Sequence, residues 1–441
     1  MKTLHGWARY PKAQVNIVYP DNIKEVVDIL SSKPGSFIAR GNGRSYGDAS
    51  FNKNLTISMI KCNKFISLNT QTGELIAQSG VLIADIIDTC LPKGWFPFVT
   101  AGTKFITLGG AIAADVHGKN HHIEGSFGHF VNWFELIDID GIIKKCSREE
   151  NKELFELTLG GMGLTGVITK CSLRLRPVES GWITQKTILN NNLSETLKSF
   201  DNNANSLYSV AWIDCLAKGG KSGRSVLMLG EHASSDDLNS NKVIFPVKKR
   251  QIFSFFFDLP SFLLNNITVG IFNQFYYLVN MVKSKKSQVD WDTYFYPLDS
   301  IKNWNRLYGK KGFFQFQCIL PSSKSHQGYS DILQIIQKNS SGSFLAVLKK
   351  FGKGNNFLSF PMEGYTLALD FKVNVINLKM VSMLNDIVVK NGGRFYLAKD
   401  ATLTPELFKK SNVNVTDFKN KVKKIGDGIE ISSELSRRLN I

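Results

Sequence analysis

Three histidines fall within six positions in DVHGKNHH, residues 115–122, and four of the chain's seven lie between His117 and His129. Imidazoles grouped in this way could ligate a metal, take a proton near neutrality, or brace a loop. His117 and His121 have the i, i+4 spacing of a helical zinc pair, but Gly118 and Asn120 argue against a helix between them. No HExxH pattern is present. The six cysteines, Cys62, Cys90, Cys146, Cys171, Cys215 and Cys318, show no CxxC spacing. No metal is expected, and the cysteines read as small buried hydrophobes in a reducing compartment.

Three glycine-rich turns precede residue 170: RGNGRSYGD, TLGGAIAAD and LGGMGLTGV. Clustered glycines let backbone N–H groups approach an anion closely. No GxxxxGK[ST] motif occurs. GMGLTG, 161–166, matches GxGxxG by letter but runs into a strand-like segment, whereas a dinucleotide fingerprint opens a helix. A Rossmann fold is therefore excluded.

The elements that must carry these turns are legible from periodicity. NIKEVVDILSS and VLIADIIDTCLPKG read as amphipathic helices, the second stopped at Gly94. GSFIAR, GELIAQ and the long alternating ITKCSLRLRP read as strands. FELIDIDGIIKKCS reads as a hairpin with Asp140-Gly141 as a type I′ turn. From about residue 179 further strands (LYSVAWID, RSVLMLG, FFQFQCILP, TLALDFKV) alternate with helices, so a second α+β domain is expected. Basic, helix-forming sequence follows residue 394.

The chain has 441 residues and a net charge of +17. That length suits two domains, and that charge favours an anionic partner such as phosphate or a membrane face. The charge is spread through the chain, not gathered into a basic stripe interleaved with aromatics, which argues against nucleic acid. The start MKTLHGWARYPKAQ lacks an apolar signal core. The most lipophilic stretch, 252–282, is interrupted by Asp258, Pro260, Asn265, Asn266 and Asn273, so it should not span a bilayer. Lys248, Lys249 and Arg250 flank one end; Lys283, Lys285 and Lys286 flank the other. Basic flanks around aromatic sequence suit a membrane surface; the alternative is a buried helix pair.

ARGNGRSYGD, GTKFITLGGAIAADVHGKNHH, GSFGHF and GGMGLTGVIT together resemble the FAD-binding domain of the vanillyl-alcohol-oxidase superfamily. The likeness continues through YSVAWID, FYPLDSIKNWNRLYG, FLAVLKKFG, LSFPMEGYTLALDF and GGRFYLAKD. It is nearest to the branch that oxidises a polyprenyl-phosphate-linked pentose at its 2′-hydroxyl, the first half of a 2′-epimerisation that makes an arabinose donor for cell-envelope glycans. It implies an α+β, PCMH-type flavin domain from 1–178 and 394–441, with a substrate domain built on an antiparallel sheet inserted at 179–393. It also implies a short-chain reductase partner, and a cytoplasmic enzyme held at the inner face of the membrane. The runner-up keeps the fold but takes a soluble alditol or aldonolactone as substrate.

By the same resemblance, FAD is held by Arg40, Gly41, Asn42, Gly43, Arg44, Ser45 and Tyr46 around the pyrophosphate. Gly102, Thr103, Thr107, Gly109, Gly110, Ala113, His117, Gly118 and Asn120 pass along the flavin. Gly166 and Ile168 reach the adenine side, and Tyr396 adjoins the ring. Arg44 stands where many relatives carry a flavin-linking histidine, which implies non-covalent FAD. Lys399, His117 and Tyr46 are implied as catalytic, with Lys349, Gln315, Gln317, Asp370 and Tyr396 on the substrate and Lys349 a phosphate candidate. Ala368 stands where that branch has an inhibitor-reactive cysteine.

Overall fold

The structure is a computed structural model that describes residues 1–246, 253–260, 265–283, 285–354, 357–424 and 430–441. Lys248, Lys249, Arg250 and Ile252 therefore lie outside the described residues. Two sheets make the flavin-side half. The first is parallel, in the order Glu430–Ile431, Ser36–Arg40, Leu55–Ser58 and Ile17–Val18. Its terminal strand comes from the far end of the chain, and the helix Ile23–Ser31, capped by Asn22, covers it with Val26 and Leu30.

The second sheet is antiparallel: Ile143–Ser147, Val131–Ile137, Val167–Pro177, Glu74–Gln78 and Phe65–Leu68, with Trp95–Pro97 also paired to Val167–Pro177. Val167–Pro177 follows the third glycine turn directly. The hairpin after Val131–Ile137 forms, but not through a two-residue type I′ turn. Ile137 pairs with Ile143, and the five residues between are folded around Asp138, whose Oδ1 accepts from Asp140 N and Ile142 N. Only Gly141 of the Asp-Gly pair has a positive φ, 77°. A buried side chain has replaced local turn propensity as the organiser.

The other half is an eight-stranded antiparallel sheet. Its order is Lys286–Asp290, Trp182–Asn190, Ser225–His232, Tyr208–Ile213, Ala346–Phe351, Gly364–Lys372, Phe313–Leu320 and Arg394–Phe395. The helices Ser322–Lys338 and Val375–Lys390 cover one face with Ile332, Leu333, Ile336, Met380 and Leu384, all fully buried. Opposite them, Gln315, Gln317, Thr366, Ala368 and Lys349 share the face turned to the flavin-side half, because residues two apart on a strand point the same way.

Among the described residues, the lipophilic stretch forms one helix, Asn266–Val282, capped by Asn265, and it is not half of a buried pair there. It buries Val269, Asn273 and Tyr277 and exposes Ile267, Ile271 (66 %), Phe275 (65 %), Leu278, Met281 and Val282. Phe253, Phe256 and Phe257 are also exposed. Among the described residues no helix is long and apolar enough to cross a membrane.

Candidate active site

A cavity of about 400 Å³ separates the two halves. Its flavin-side wall contains Arg40, Gly41, Asn42, Gly43, Arg44, Ser45, Tyr46, Gly102, Thr103, Thr107, Gly109, Gly110, Ala113, His117, Gly166 and Ile168. Its sheet-side wall contains Gln315, Gln317 and Lys349, and Tyr396 and Lys399 close one end. Gly118 and Asn120 are not in the lining. Asn120 Nδ2 instead donates to Phe98 O at 2.7 Å and to Glu124, which pins the loop from behind. Asp370 is on the same sheet face, opposite Gln315 in the register, but outside the lining; it accepts a hydrogen bond from Gln315 Nε2.

The first glycine turn is braced by its own polar side chains. Asn42 donates to Phe105 O at 2.8 Å, and Trp7 N donates to Ser45 O at 2.7 Å. Arg40 spends its guanidinium on Ser50 Oγ (2.9 Å), Ser50 O (3.2 Å) and His5 O (3.0 Å). It is a strut for the turn, which leaves Arg44 as the turn's cation with a group to spare for a ligand. Arg44 stacks over Trp7 at 4.1 Å, and its buried Nε has no partner among the described residues. Gly43 has φ of 62°, and a Cβ there would lie 2.2 Å from Arg40 Nη2. A side chain at Gly41 would strike Thr107 Oγ1 at 2.1 Å. Backbone thus comes as close to the cavity as chemistry permits.

Thr103 is engaged elsewhere. Its hydroxyl donates to Asp299 Oδ2 at 3.1 Å, and Lys104 N donates to the same oxygen at 2.8 Å. A buried ion pair, Lys104 Nζ to Asp292 at 2.6 Å, fastens the same junction.

At the catalytic end, Lys399 Nζ sits 3.3 Å from the centroid of the Tyr46 ring. The segment that carries it is locked in place: Lys399 N bonds Tyr396 O at 2.9 Å, and Tyr46 N bonds Ala398 O at 2.9 Å. Burial lowers the Lys399 pKa, Asp370 opposes that shift, and Lys349 adds to it. Burial raises Asp370, with Gln315 and Lys399 opposing. His117 is packed among Phe351 (4.6 Å), Tyr396 (5.1 Å) and Phe360 (5.7 Å). Its Nε2 lies 3.2 Å from Gln317 Nε2, so that nitrogen accepts if the amide donates. Burial holds its pKa well below the ordinary value, with Lys349, His121 and Lys399 acting the same way. A neutral imidazole is the result, suited to positioning more than to carrying charge.

Burial lowers Lys349 to about 8, and no carboxylate opposes it. Lys119, which sequence reasoning passed over inside HGKNHH, also lines the cavity. It lies 4.1 Å from the Tyr294 ring and donates to Tyr294 O; burial, then Lys349, lower it to about 7. Its signal was its place between two loop residues already singled out. His121 and His122 open a short helix, His121–Glu124, and brace it: the His121 ring lies 4.3 Å from that of Phe351, and His122 Nε2 lies 2.9 Å from Ser206 O. Among the described residues no group of histidine, cysteine, aspartate or glutamate side chains could hold a metal. All six cysteines are free and buried, and none lines the cavity.

The cavity fits FAD on its own features. Gly41, Gly43 and Gly109 in its wall leave no room for a side chain, and Arg44 Nε, Ser79 Oγ and His117 Nδ1 are buried without partners among the described residues. Wall, orphaned donors and an antiparallel sheet facing them define an FAD-binding oxidoreductase. An FAD-binding-domain family model matches residues 13–147. The chain is 32% identical to decaprenylphosphoryl-beta-D-ribose oxidase of Mycolicibacterium smegmatis, over all of this chain and 98% of that protein. It is 27% identical to an uncharacterised Streptomyces coelicolor protein, over 81% of this chain and 99% of the other. L-gulonolactone oxidase of Bos taurus is 24% identical over 44% of each chain. The chain belongs to the decaprenylphosphoryl-beta-D-ribose oxidase family, and FAD is its cofactor.

Proposed function

We propose that the chain oxidises the 2′-hydroxyl of a polyprenyl-phosphate-linked pentose to the 2′-keto sugar. A short-chain reductase would complete the 2′-epimerisation toward an arabinose donor for cell-envelope glycans. The observation that carries this reading is Lys349, a half-buried cation on the cavity wall with no ion-pair partner among the described residues. A phosphate supplies the missing charge; a free sugar leaves it uncompensated. Full-length similarity to the Mycolicibacterium oxidase supports the same choice, whereas the gulonolactone oxidase matches less than half of the chain.

When bound, FAD supplies the acceptor for the hydride leaving the carbinol carbon. Gln315 and Gln317, side by side on one strand face, hydrogen-bond the sugar. Lys399 takes the hydroxyl proton, its lowered pKa leaving a fraction neutral near pH 7. His117 holds the sugar through Gln317, and Tyr46 holds Lys399. FAD is bound without a covalent link, since Arg44 replaces the linking histidine. The flavin domain is formed by 1–178 and 394–441, with 179–393 inserted; the pairing of Glu430–Ile431 with Ser36–Phe37 supports that division.

The exposed stripe on Asn266–Val282 seats the enzyme on the cytoplasmic face of an anionic membrane, with Lys283, Lys285 and Lys286 at its end. Tyr276 of the same helix lines the cavity and packs on Trp212 at 4.8 Å, so the prenyl chain has a short route from lipid to site. Anaerobic bleaching of the purified yellow protein tests the function. Prenyl-phosphoryl ribose should bleach it and free pentoses should not; bleaching by free sugars alone overturns the proposal.

A further inference from the structure

A second, rear cavity of about 200 Å³ meets the large sheet at Asp370, outside the lining of the first. Its lining is mixed: Asn339, Ser341, Asn377, Tyr308 and Asp370 give it polar groups, and Val269, Phe344 and Ile376 give it apolar ones. Two deeply buried groups meet there. Asp370 is 1 % exposed and Tyr308 4 %. Gln315 satisfies Asp370 Oδ1, but Asp370 Oδ2 and the Tyr308 hydroxyl have no partner among the described residues. A carboxylate oxygen and a phenol orphaned beside such a space are costly unless water reaches them. The space exceeds what one water needs.

From this arrangement we infer that Asp370 is a proton port, passing the proton of the oxidised alcohol from Lys399 through the second cavity to solvent. This rests on the alcohol-oxidase reading above. Oxidation of the carbinol forms a C=O bond and breaks one C–H and one O–H bond. The electron pair leaves with the C–H hydrogen as hydride to FAD, and the O–H proton goes to Lys399. That proton must then escape. A lipid-linked substrate in the front cavity would crowd out bulk water on that side, and the rear cavity at Asp370 offers a second way out.

Lys399 and Asp370 interact electrostatically, and no direct ion pair joins them among the described residues, so the proposed transfer runs through an intervening water. Asp370 then gives its proton to water in the rear cavity and returns to its starting state. The groups around it are Lys399 from the segment after Arg394–Phe395, Gln315 from the neighbouring strand, Tyr46 from the glycine turn and Tyr308 from Trp304–Tyr308, and Lys372 of its own strand lines the same cavity. Burial raises the carboxyl toward neutrality, as an acceptor that must also release requires.

Two measurements test this on the intact holoenzyme. Infrared titration without substrate should show a protonated carboxyl band that persists above the usual carboxylate range and is missing in Asp370→Asn. Absence of such a band in the wild type, or its survival in Asp370→Asn, overturns the inference. Because no substrate is present, that result is independent of the proposed sugar. Secondly, Ser341→Leu and Asn377→Leu should plug the rear cavity without touching the front. Release of protons to a dye, timed against flavin bleaching by any alcohol that reduces the enzyme, should lag by at least about tenfold. A small permeant acid such as azide should restore it. Proton release that keeps pace with bleaching in two folded plugged variants, judged by unchanged flavin spectrum and melting, overturns the port; a lag that azide abolishes supports it.

Discussion

Replacing Lys349 by methionine separates the work of the cation from the work of its stem. Lys349 lies in the strand Ala346–Phe351, paired on one side with Thr366 of Gly364–Lys372, so the methionine keeps the strand and most of the packing. A hydrogen bond to a charged group is worth about 1.5–3 kcal/mol, which is about 10- to 150-fold in affinity. KM for prenyl-phosphoryl ribose should rise by that factor, with the rate at saturation little changed. Oxidation of a phosphate-free pentose, if forced at high concentration, should be unaffected. The pH dependence follows. Below about 8 Lys349 carries its charge in the free enzyme; as pH rises through 8 the charge is lost, and wild-type affinity should fall. Lys349→Arg should flatten that profile, because a guanidinium stays charged.

The same residue has a cost in stability. Its pKa falls from 10.5 to about 8 on folding, which is at most about 3.4 kcal/mol at 1.36 kcal/mol per pH unit, and less once the open cavity's screening is counted. A lowered lysine destabilises the fold fully below pH 8, and the penalty fades as pH rises toward 10.5. Lys349→Met should therefore melt higher than the wild type at pH 7, with the difference vanishing toward pH 10. Equal KM in both proteins, or an equal loss on the phosphate-free sugar, would refute the assignment.

Arg438→Met should lower the melting temperature by several degrees and weaken flavin retention, since it strands Asp48 and Asp400, bonded at 2.8 and 2.9 Å, at a cost of about 3 kcal/mol. Ile271→Asp with Phe275→Asp should abolish co-sedimentation with anionic vesicles by about 100-fold or more while leaving the flavin spectrum intact; unchanged sedimentation removes the membrane role of that helix. Acid precipitation should leave all flavin in the supernatant, and yellow protein in the pellet would show a covalent link. Cysteine-directed inhibitors should fail to inactivate the wild type, because Ala368 lines the cavity where a thiol would be needed.

Glycine spacing exposed the flavin wall because close backbone approach admits few residue types, and period-two alternation exposed the strands of the large sheet. What local pattern could not carry was partner choice. Arg40 and Arg44 look equivalent four positions apart, yet one is consumed by Ser50 and His5 while the other keeps a group to spare for a ligand. Thr103 reads as a ligand of the cofactor and is bonded to Asp299, nearly two hundred positions on. The Asp140-Gly141 turn yielded to Asp138. Helix Asn266–Val282 hid its amphipathy because its buried side holds Asn273, bonded to Asp214 at 2.7 Å, and its outer side is the greasy one. Lys119 was missed because one lysine among many has no local mark of burial.

The guanidinium of Arg438 joins Asp48, beside the first glycine turn, to Asp400, beside Lys399. The parallel strand Glu430–Ile431 closes against Ser36–Phe37 in the same region. One guanidinium therefore fastens the glycine turn and the lysine segment to each other. The two sides of the cavity cannot loosen independently, so a thermal opening that frees the Lys399 segment also slackens the wall that grips the flavin. Cofactor loss and loss of the catalytic end are then a single event.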